Sequence, residues 1–319
     1  MKIVLLERLS AGADMDVSCF GELGEFVSYD NTVSIEEVAE RVKDADAVIA
    51  NKAPMNELSL KDAPKVGFIG ELATGYDNVD IEYCRKRGIR VANVRNYSTA
   101  MVAQHTFALA LSLSQKIVHY DDYVKSGQYA SQKRFSNFDI SFNELDKKTW
   151  GIAGYGNIGK RVAGIAEAFG CRVIIHSITG KKHDTQYEQV DKETLLRESD
   201  FLSLHCPLSD LSRHFIDKEA FSMMKPKAYL INVARGPVVD TVALYEALEN
   251  GVIAGAGLDV LEKEPISKDD PLGKIKDSSK LIITPHLAWA SEEARQRCVD
   301  EVFLNLKAYI EGEERNAVC

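Results

Sequence analysis

The sequence predicts an α/β protein with two parallel-sheet units. Three observations carry that prediction. Short apolar runs of strand type alternate with helical patterns from one end of the chain to the other. A Gly-x-Gly-x-x-Gly stretch lies near the middle, between one such run and one such pattern. The length, 319 residues, suits about two domains.

The first series of runs reads KIVLLE, EFVSY, DAVIAN, KVGFIGE and IRVANV. Ser34 followed by Glu37 is a capping box opening a helix whose Ile35, Val38 and Val42 line one face. Asp80 can cap the next helix and Gly88 can end it. From Ser98 a long helical pattern runs towards Gly127, apolar on nearly every side over its first half. Such a helix belongs in a domain junction or a subunit interface. A polar and aromatic stretch without a period follows, read as loop and short turns. The second series is TWGIAGYG, CRVIIHS, DFLSLHCPL, AYLINVARG, IAGAGLDV and KLIITPH. Asp240 and Gly251 bracket one helix in it, and a last helix spans roughly 291–311. From these patterns alone the boundary falls near residue 98.

Composition bounds the function. Hydrophobic residues at 45% and charged residues at 27% are ordinary for a globular enzyme. The net charge of −9 argues against a nucleic-acid or anionic-membrane surface. Six cysteines lie far apart with no Cys-x-x-Cys pair, so neither a disulfide frame nor a metal site is expected. The N-terminal apolar run is too short for a signal peptide, and no window approaches the ~18 apolar residues of a membrane span. The expected location is the cytoplasm.

The glycine stretch is Gly154-Tyr155-Gly156-Asn157-Ile158-Gly159, preceded by a strand and followed by Val162, Ile165, Ala166 and Phe169 at helical spacing. Gly170 then ends the helix and a second strand begins. In this context the glycines provide a tight turn and close approach of backbone to a pyrophosphate, whose charge rests on the helix N-terminus. A nicotinamide dinucleotide is therefore the expected cofactor. An NAD site usually places an acid about 20 residues on, to hold the ribose 2′-hydroxyl. Here the strand ends His176-Ser177, and Thr179, Lys181 and Lys182 precede the first acid, Asp184. Ser177 with nearby lysines suits a 2′-phosphate, which tips the choice between NAD and NADP towards NADP. The competing explanation is that the lysines only solvate a loop.

In open α/β sheets ligands bind beyond the carboxyl ends of strands, which leaves His176, His205 and His286 as alternatives. Position alone does not choose among them. Arg235 follows a strand beside a Gly-Pro turn, and its fork is a natural grip for a carboxylate. Asp259 and Glu264 follow another strand, and a carboxylate beside a histidine favours the imidazolium. Dinucleotide, arginine, carboxylate and histidine together are what reduction of a 2-keto acid requires.

Several ordered stretches, ATGYDNVD, NYSTAMVAQHTFALAL, GIAGYGNIGKRVA, DFLSLHCPLSD, LINVARGPVVD, GLDVLEKEP and ITPHLAWAS, resemble the D-isomer-specific 2-hydroxyacid dehydrogenase family over nearly the whole chain. The resemblance implies a catalytic trio of Arg235, Glu264 and His286, demoting His176 and His205. It implies that Arg235 binds the substrate carboxylate, that Glu264 holds and charges the imidazole, and that His286 gives the proton in reduction. Backbone amides of Thr74 and Gly75 would meet the substrate, with Asn51 and Trp289 shaping the pocket. Thr106, Ala234 and Asp259 would line the nicotinamide side, and Cys206 and Pro207 the adenosine side. Asp259 has the plainer alternative of capping a turn, and Trp289 that of interdomain core. The resemblance also implies a Rossmann-like cofactor domain, residues 99–287, inserted into a flavodoxin-like substrate domain of residues 1–98 and 288–319, and a homodimer.

The stretches ATGYDNVD and PHLAWAS look most like the glycerate dehydrogenase or hydroxypyruvate reductase branch. Hydroxypyruvate and glyoxylate are then the expected substrates, with D-lactate dehydrogenase as the enzymatic rival. A dinucleotide-sensing, corepressor-like binding protein is the alternative from another class.

Overall fold

The computed structural model describes residues 1–319 and divides into two compact units, Met1–Ser98 with Ala290–Cys319, and Thr99–Trp289. No helix is long and apolar enough to cross a membrane.

The first unit contains β1 (Lys2–Leu5), β2 (Glu25–Ser28), α1 (Ile35–Val42), β3 (Ala47–Ala50), α2 (Glu57–Leu60), β4 (Phe68–Glu71), α3 (Ile81–Arg87) and β5 (Arg90–Ala92). The chain's last helix, α11 (Glu292–Ile310), returns to it. All strand pairs are parallel, in the order β2-β1-β3-β4-β5. Every residue of β3 and β4 is buried, which explains why they read as unbroken apolar runs instead of alternating ones. The order reverses between β1 and β3, and in sheets of this type that switch point opens a crevice beyond the strand ends. The caps are those expected: Ser34 and Glu37 exchange bonds at the start of α1, Asp80 caps α3, and Gly88 ends it in the left-handed region. Helix α11 lies against β4, where a Cβ on Gly67 would fall 2.3 Å from the Tyr309 hydroxyl.

The second unit runs through α4 (Thr99–Ser114), α5 (Ile117–Lys125), α6 (Gln128–Ser131), β6 (Thr149–Ala153), α7 (Asn157–Ala168), β7 (Arg172–His176), β8 (Glu188–Gln189), α8 (Lys192–Glu198), β9 (Phe201–Leu204), α9 (Lys218–Met223), β10 (Tyr229–Asn232), α10 (Thr241–Glu249), β11 (Gly255–Leu258) and β12 (Leu281–Ile283). Its seven parallel strands are ordered β12-β11-β10-β9-β6-β7-β8. This is the doubly wound dinucleotide-binding order with one strand added, and its switch point lies between β6 and β9. Trp150 stacks between Phe107 and Phe201 at 4.5 and 5.1 Å, and its indole N–H donates to Ser203 at 2.9 Å.

Four expectations change. The long helix after Ser98 breaks at Lys116, whose φ is 56° and whose buried ammonium donates to the Ser279 carbonyl at 2.7 Å. That partner, 163 residues away, outweighs the local helical pattern. The all-round apolar α4 is covered within its own unit, by α7, β10 and β11, and so needs no subunit interface to bury it. Phe169 is 43% exposed, its ring stacked on Phe107 instead of sunk in the core. Ala288 and Trp289 pack into the core around Trp150, so the second unit runs two residues further than expected. The short β8 carried no sequence signal at all.

Candidate active site

The switch point of the second sheet is shaped by glycine. Gly154 follows β6 with φ +96°, and a Cβ there would lie 2.7 Å from the Cys206 nitrogen and 2.8 Å from the His205 carbonyl, just past β9. A Cβ on Gly159 would lie 2.2 Å from the Gly154 carbonyl, so the first turn of α7 packs directly on the loop. A Cβ on Gly156 would meet nothing within 4 Å. Gly156 is also the N-cap of α7 and brings no side-chain oxygen to its first amides. The result is an open cradle of Gly156, Asn157 and Ile158 at the positive end of a three-turn helix, which fits a pyrophosphate. Tyr155 is buried and shares a 2.8 Å hydrogen bond with Thr185, and its ring meets His183 edge-on at 5.3 Å. This ties the glycine loop to the segment after β7. Ser177 is buried at the start of that segment, while Lys181, Lys182 and Asp184 are exposed.

Among the three histidines, two have structural settings. His176 Nδ1 lies 2.9 Å from the Val190 carbonyl, and its ring stacks on Phe215. His205 keeps partial exposure as a residue, but both ring nitrogens are buried without a partner, and burial pushes its pKa down to about 3. Neutral at ordinary pH, it lacks the acidic imidazolium proton that a proton donor needs. Beside it Cys206 is buried, its thiol pushed up to about 11 by that burial, and Pro207 is exposed.

His286 is different. Its Nδ1 lies 2.6 Å from Glu264 Oε2, and Glu264 Oε1 accepts from the Leu261 amide at 2.9 Å. Both side chains keep about a third of their surface exposed, at 31% and 34%, so the pair faces solvent at one edge. His286 adopts φ 53°, a left-handed conformation costly for a residue with a Cβ. Its amide is held by the carbonyls of Asp259 and Thr284 at 2.9 and 3.0 Å, and its own carbonyl accepts from the Trp289 indole at 2.9 Å.

Asp259 builds the turn that imposes this conformation. It is buried, and its carboxylate accepts from the Thr284 hydroxyl at 2.6 Å and from the amides of Leu287 and Ala288 at 2.9 and 2.8 Å. The side chain is thus committed to capping the turn around His286. His105 on α4 completes the network, its Nε2 at 2.9 Å from the Thr284 hydroxyl. That hydroxyl has one hydrogen, given to Asp259, so His105 donates through Nε2. Burial lowers the pKa of His105, and the charge of Asp259 opposes the shift. Neither His105 nor Thr284 was expected here as a support of the histidine. Their contacts span 179 and 25 residues, so no local pattern announces them.

Arg235 comes from the turn after β10. Asn232 holds that turn, donating to the Arg235 carbonyl at 2.9 Å and accepting from the Ala234 amide at 3.1 Å. A Cβ on Gly236 would lie 1.9 Å from the Leu261 carbonyl group. Only glycine permits that approach, and it sets the Arg235 turn against the segment that carries Glu264. Arg235 is half-buried and donates to the Ala234 carbonyl at 2.8 Å. Thr106 is fully buried, with its hydroxyl given to the Val102 carbonyl inside α4.

The remaining expected site residues lie in the first unit. Asn51 follows β3 and is buried, its amide bonded to Glu7. Thr74 and Gly75 follow β4 in a turn pinned by Asn93, which donates to the Thr74 carbonyl at 2.7 Å, and by the Thr74 hydroxyl on the Val94 carbonyl at 2.7 Å.

Known proteins resemble this chain in sequence and in fold. Residues 107–288 match the family model described as D-isomer specific 2-hydroxyacid dehydrogenase, NAD binding domain. The chain is 38% identical to a hydroxypyruvate reductase of Blautia hydrogenotrophica, covering 100% of this chain and 99% of that protein. It is 39% identical to a glycerate dehydrogenase of Methylorubrum extorquens, over 99% and 98%. Among solved structures, D-lactate dehydrogenase from Aquifex aeolicus, complexed with NAD and lactic acid, superposes with a TM-score of 0.82 at 31% identity, over 98% and 96%.

Proposed function

Because the chain belongs to the D-isomer-specific 2-hydroxyacid dehydrogenase family, we propose that Arg235, Glu264 and His286 reduce hydroxypyruvate and glyoxylate to D-glycerate and glycolate. It is an oxidoreductase of the 2-hydroxyacid CH–OH group with a nicotinamide dinucleotide as cofactor. The observation that carries the assignment of roles is the 2.6 Å contact between His286 Nδ1 and Glu264.

With its Nδ1 hydrogen committed to Glu264, His286 exchanges protons through Nε2 alone. Protonated there, it gives that proton to the carbonyl oxygen; bare, it accepts the hydroxyl proton in the reverse direction. Glu264 fixes the ring's orientation through that hydrogen bond. Arg235 supplies a planar donor fork for the substrate carboxylate and draws electron density from the neighbouring carbonyl. The Gly154–Gly159 loop would hold the dinucleotide, which would supply hydride chemistry when bound. Substrate-recognition roles are further proposed for Asn51, Thr74 and Gly75 in the first unit and for Trp289 in the second. Thr106, Ala234 and Asp259 would border the nicotinamide, and Cys206 and Pro207 the adenosine. Ser177, with Lys181 and Lys182 following, favours NADPH over NADH.

The test is initial-rate reduction of hydroxypyruvate, glyoxylate and pyruvate with each nucleotide. Hydroxypyruvate ahead of pyruvate, with NADPH ahead of NADH, is the expected result. Pyruvate ahead would make this a lactate-type enzyme, and no turnover with any pair would remove the catalytic reading.

The enzyme is further proposed to be a cytoplasmic homodimer. Free cysteines suit a reducing compartment. Ile117, Val118 and Val124 on α5, with Phe135, Phe138 and Phe142 beyond it, leave apolar surface exposed on the second unit. Sedimentation of wild type against a Phe135→Glu, Phe138→Glu double variant tests this, a dimer in the first and a monomer in the second being expected.

A further inference from the structure

The first sheet also has a switch point, between β1 and β3, and it is already filled. Glu7, two residues past β1, is buried, and its Oε2 accepts the amides of Asn51, Lys52 and Ala53, each at 2.9 Å. Three consecutive backbone N–H groups converging on one oxygen form an anion-binding nest. Such nests at the carboxyl ends of parallel strands ordinarily serve ligands. In this chain an internal carboxylate takes the ligand's place.

The nest is coupled to the neighbouring loop. Asn78 donates to the Ala53 carbonyl at 3.0 Å and to Glu71 Oε1 at 3.1 Å, and the Met55 amide donates to the Asn78 carbonyl at 2.9 Å. Glu71, at the end of β4, has no exposed surface, and burial holds its carboxyl well above the usual range, with the charge of Glu7 adding to the effect. Glu7 therefore sets the segment carrying Asn51, and through Asn78 that segment is joined to the one carrying Thr74 and Gly75.

We infer that Glu7 is a positioning residue for substrate recognition: its carboxylate acts as a built-in anion that fixes Asn51 and the joined Thr74–Gly75 turn. This rests on the proposed role of those three residues in binding the 2-keto acid. Glu7 touches neither substrate nor cofactor, so the effect should fall on substrate affinity and leave nucleotide affinity alone.

The experiment compares wild type, Glu7→Gln and Glu7→Ala, measuring KM and kcat for hydroxypyruvate, KM for the nucleotide, and the effect of added formate or acetate. A loop displaced by about 1 Å costs up to about a hundredfold. The expected result is a hydroxypyruvate KM raised about tenfold or more in Glu7→Ala and less in Glu7→Gln. Nucleotide KM should stay within about threefold, and formate should restore the substrate KM of Glu7→Ala by refilling the nest. A folded Glu7→Ala with unchanged substrate KM would overturn the inference. So would a parallel loss of nucleotide affinity without rescue, because that marks general destabilisation. If Glu7→Ala does not fold, Glu7→Gln decides by the same split between substrate and nucleotide. Absence of wild-type turnover would remove the functional reading on which this inference rests, and the inference with it.

Discussion

The acid sensitivity of the second unit should trace to His205. Its two ring nitrogens are buried without a partner, and burial lowers its pKa from 6.5 to about 3. The unfolded chain binds a proton at this site below pH 6.5, whereas the folded chain does so only near pH 3. Between those values the unfolded state holds more protons, so stability falls as pH falls. Each pH unit below 6.5 costs about 1.4 kcal/mol, giving about 2 kcal/mol at pH 5 and at most about 5 kcal/mol near pH 3. His205→Leu removes the titration and the unpaired ring N–H together. The variant should lose less stability on acidification than wild type, by about 2 kcal/mol between pH 7 and pH 5. Relief of the unsatisfied donor adds about 1–3 kcal/mol, offset by any packing defect. Urea unfolding followed by tryptophan fluorescence is the suitable assay, because both tryptophans, Trp150 and Trp289, lie in the second unit. Carboxylates titrate in the same window in both proteins and cancel in the difference. Parallel acid limbs for the two proteins would refute the reasoning, because they would mean that the His205 nitrogens are solvated or bonded.

Three further perturbations test other parts of the structure. Gly236→Ala places a methyl 1.9 Å from the Leu261 backbone and must push the Arg235 turn off the Glu264 segment; kcat/KM should drop by about a hundredfold while circular dichroism keeps its helical signal. Thr284→Val leaves Asp259 without its hydroxyl donor and His105 without its acceptor. A loss of about 2–3 kcal/mol in thermal or urea stability is expected, part of the cost being recovered by the direct approach of His105 to Asp259 at 3.5 Å. Glu71→Gln replaces a carboxyl that binds its proton more tightly folded than unfolded. Wild-type stability should therefore fall as pH rises above the unfolded value near 4.5, and the variant should show a flatter profile in melts at pH 5 and pH 8.

Features written over three or four residues were legible without coordinates. Ser34 with Glu37, Asp80 and Asp240 cap their helices through side-chain bonds spanning two or three positions, so the signal and the structure share the same short segment. The glycine loop belongs to the same group, because its turn, its helix start and its open face are properties of six consecutive residues. His286 was harder. Three histidines near strand ends were equivalent by position, and only the resemblance to a family separated them. The structure separates them physically: His176 is bonded to a carbonyl, His205 is stripped of water and partners, and His286 is held by Glu264.

By itself, then, the sequence determined the alternating α/β architecture, the capped helix starts and the glycine turn that opens α7, because each arises from local propensity and period. Tertiary structure alone decided the strand orders, the break at Lys116, the Asp259 turn that holds His286 left-handed, and the nest filled by Glu7. Each of these depends on a partner 25 or more residues away or on which strand lies beside which. Such partners meet only when the sheets close, and each offsets the other's burial cost by a hydrogen bond that no window of sequence contains.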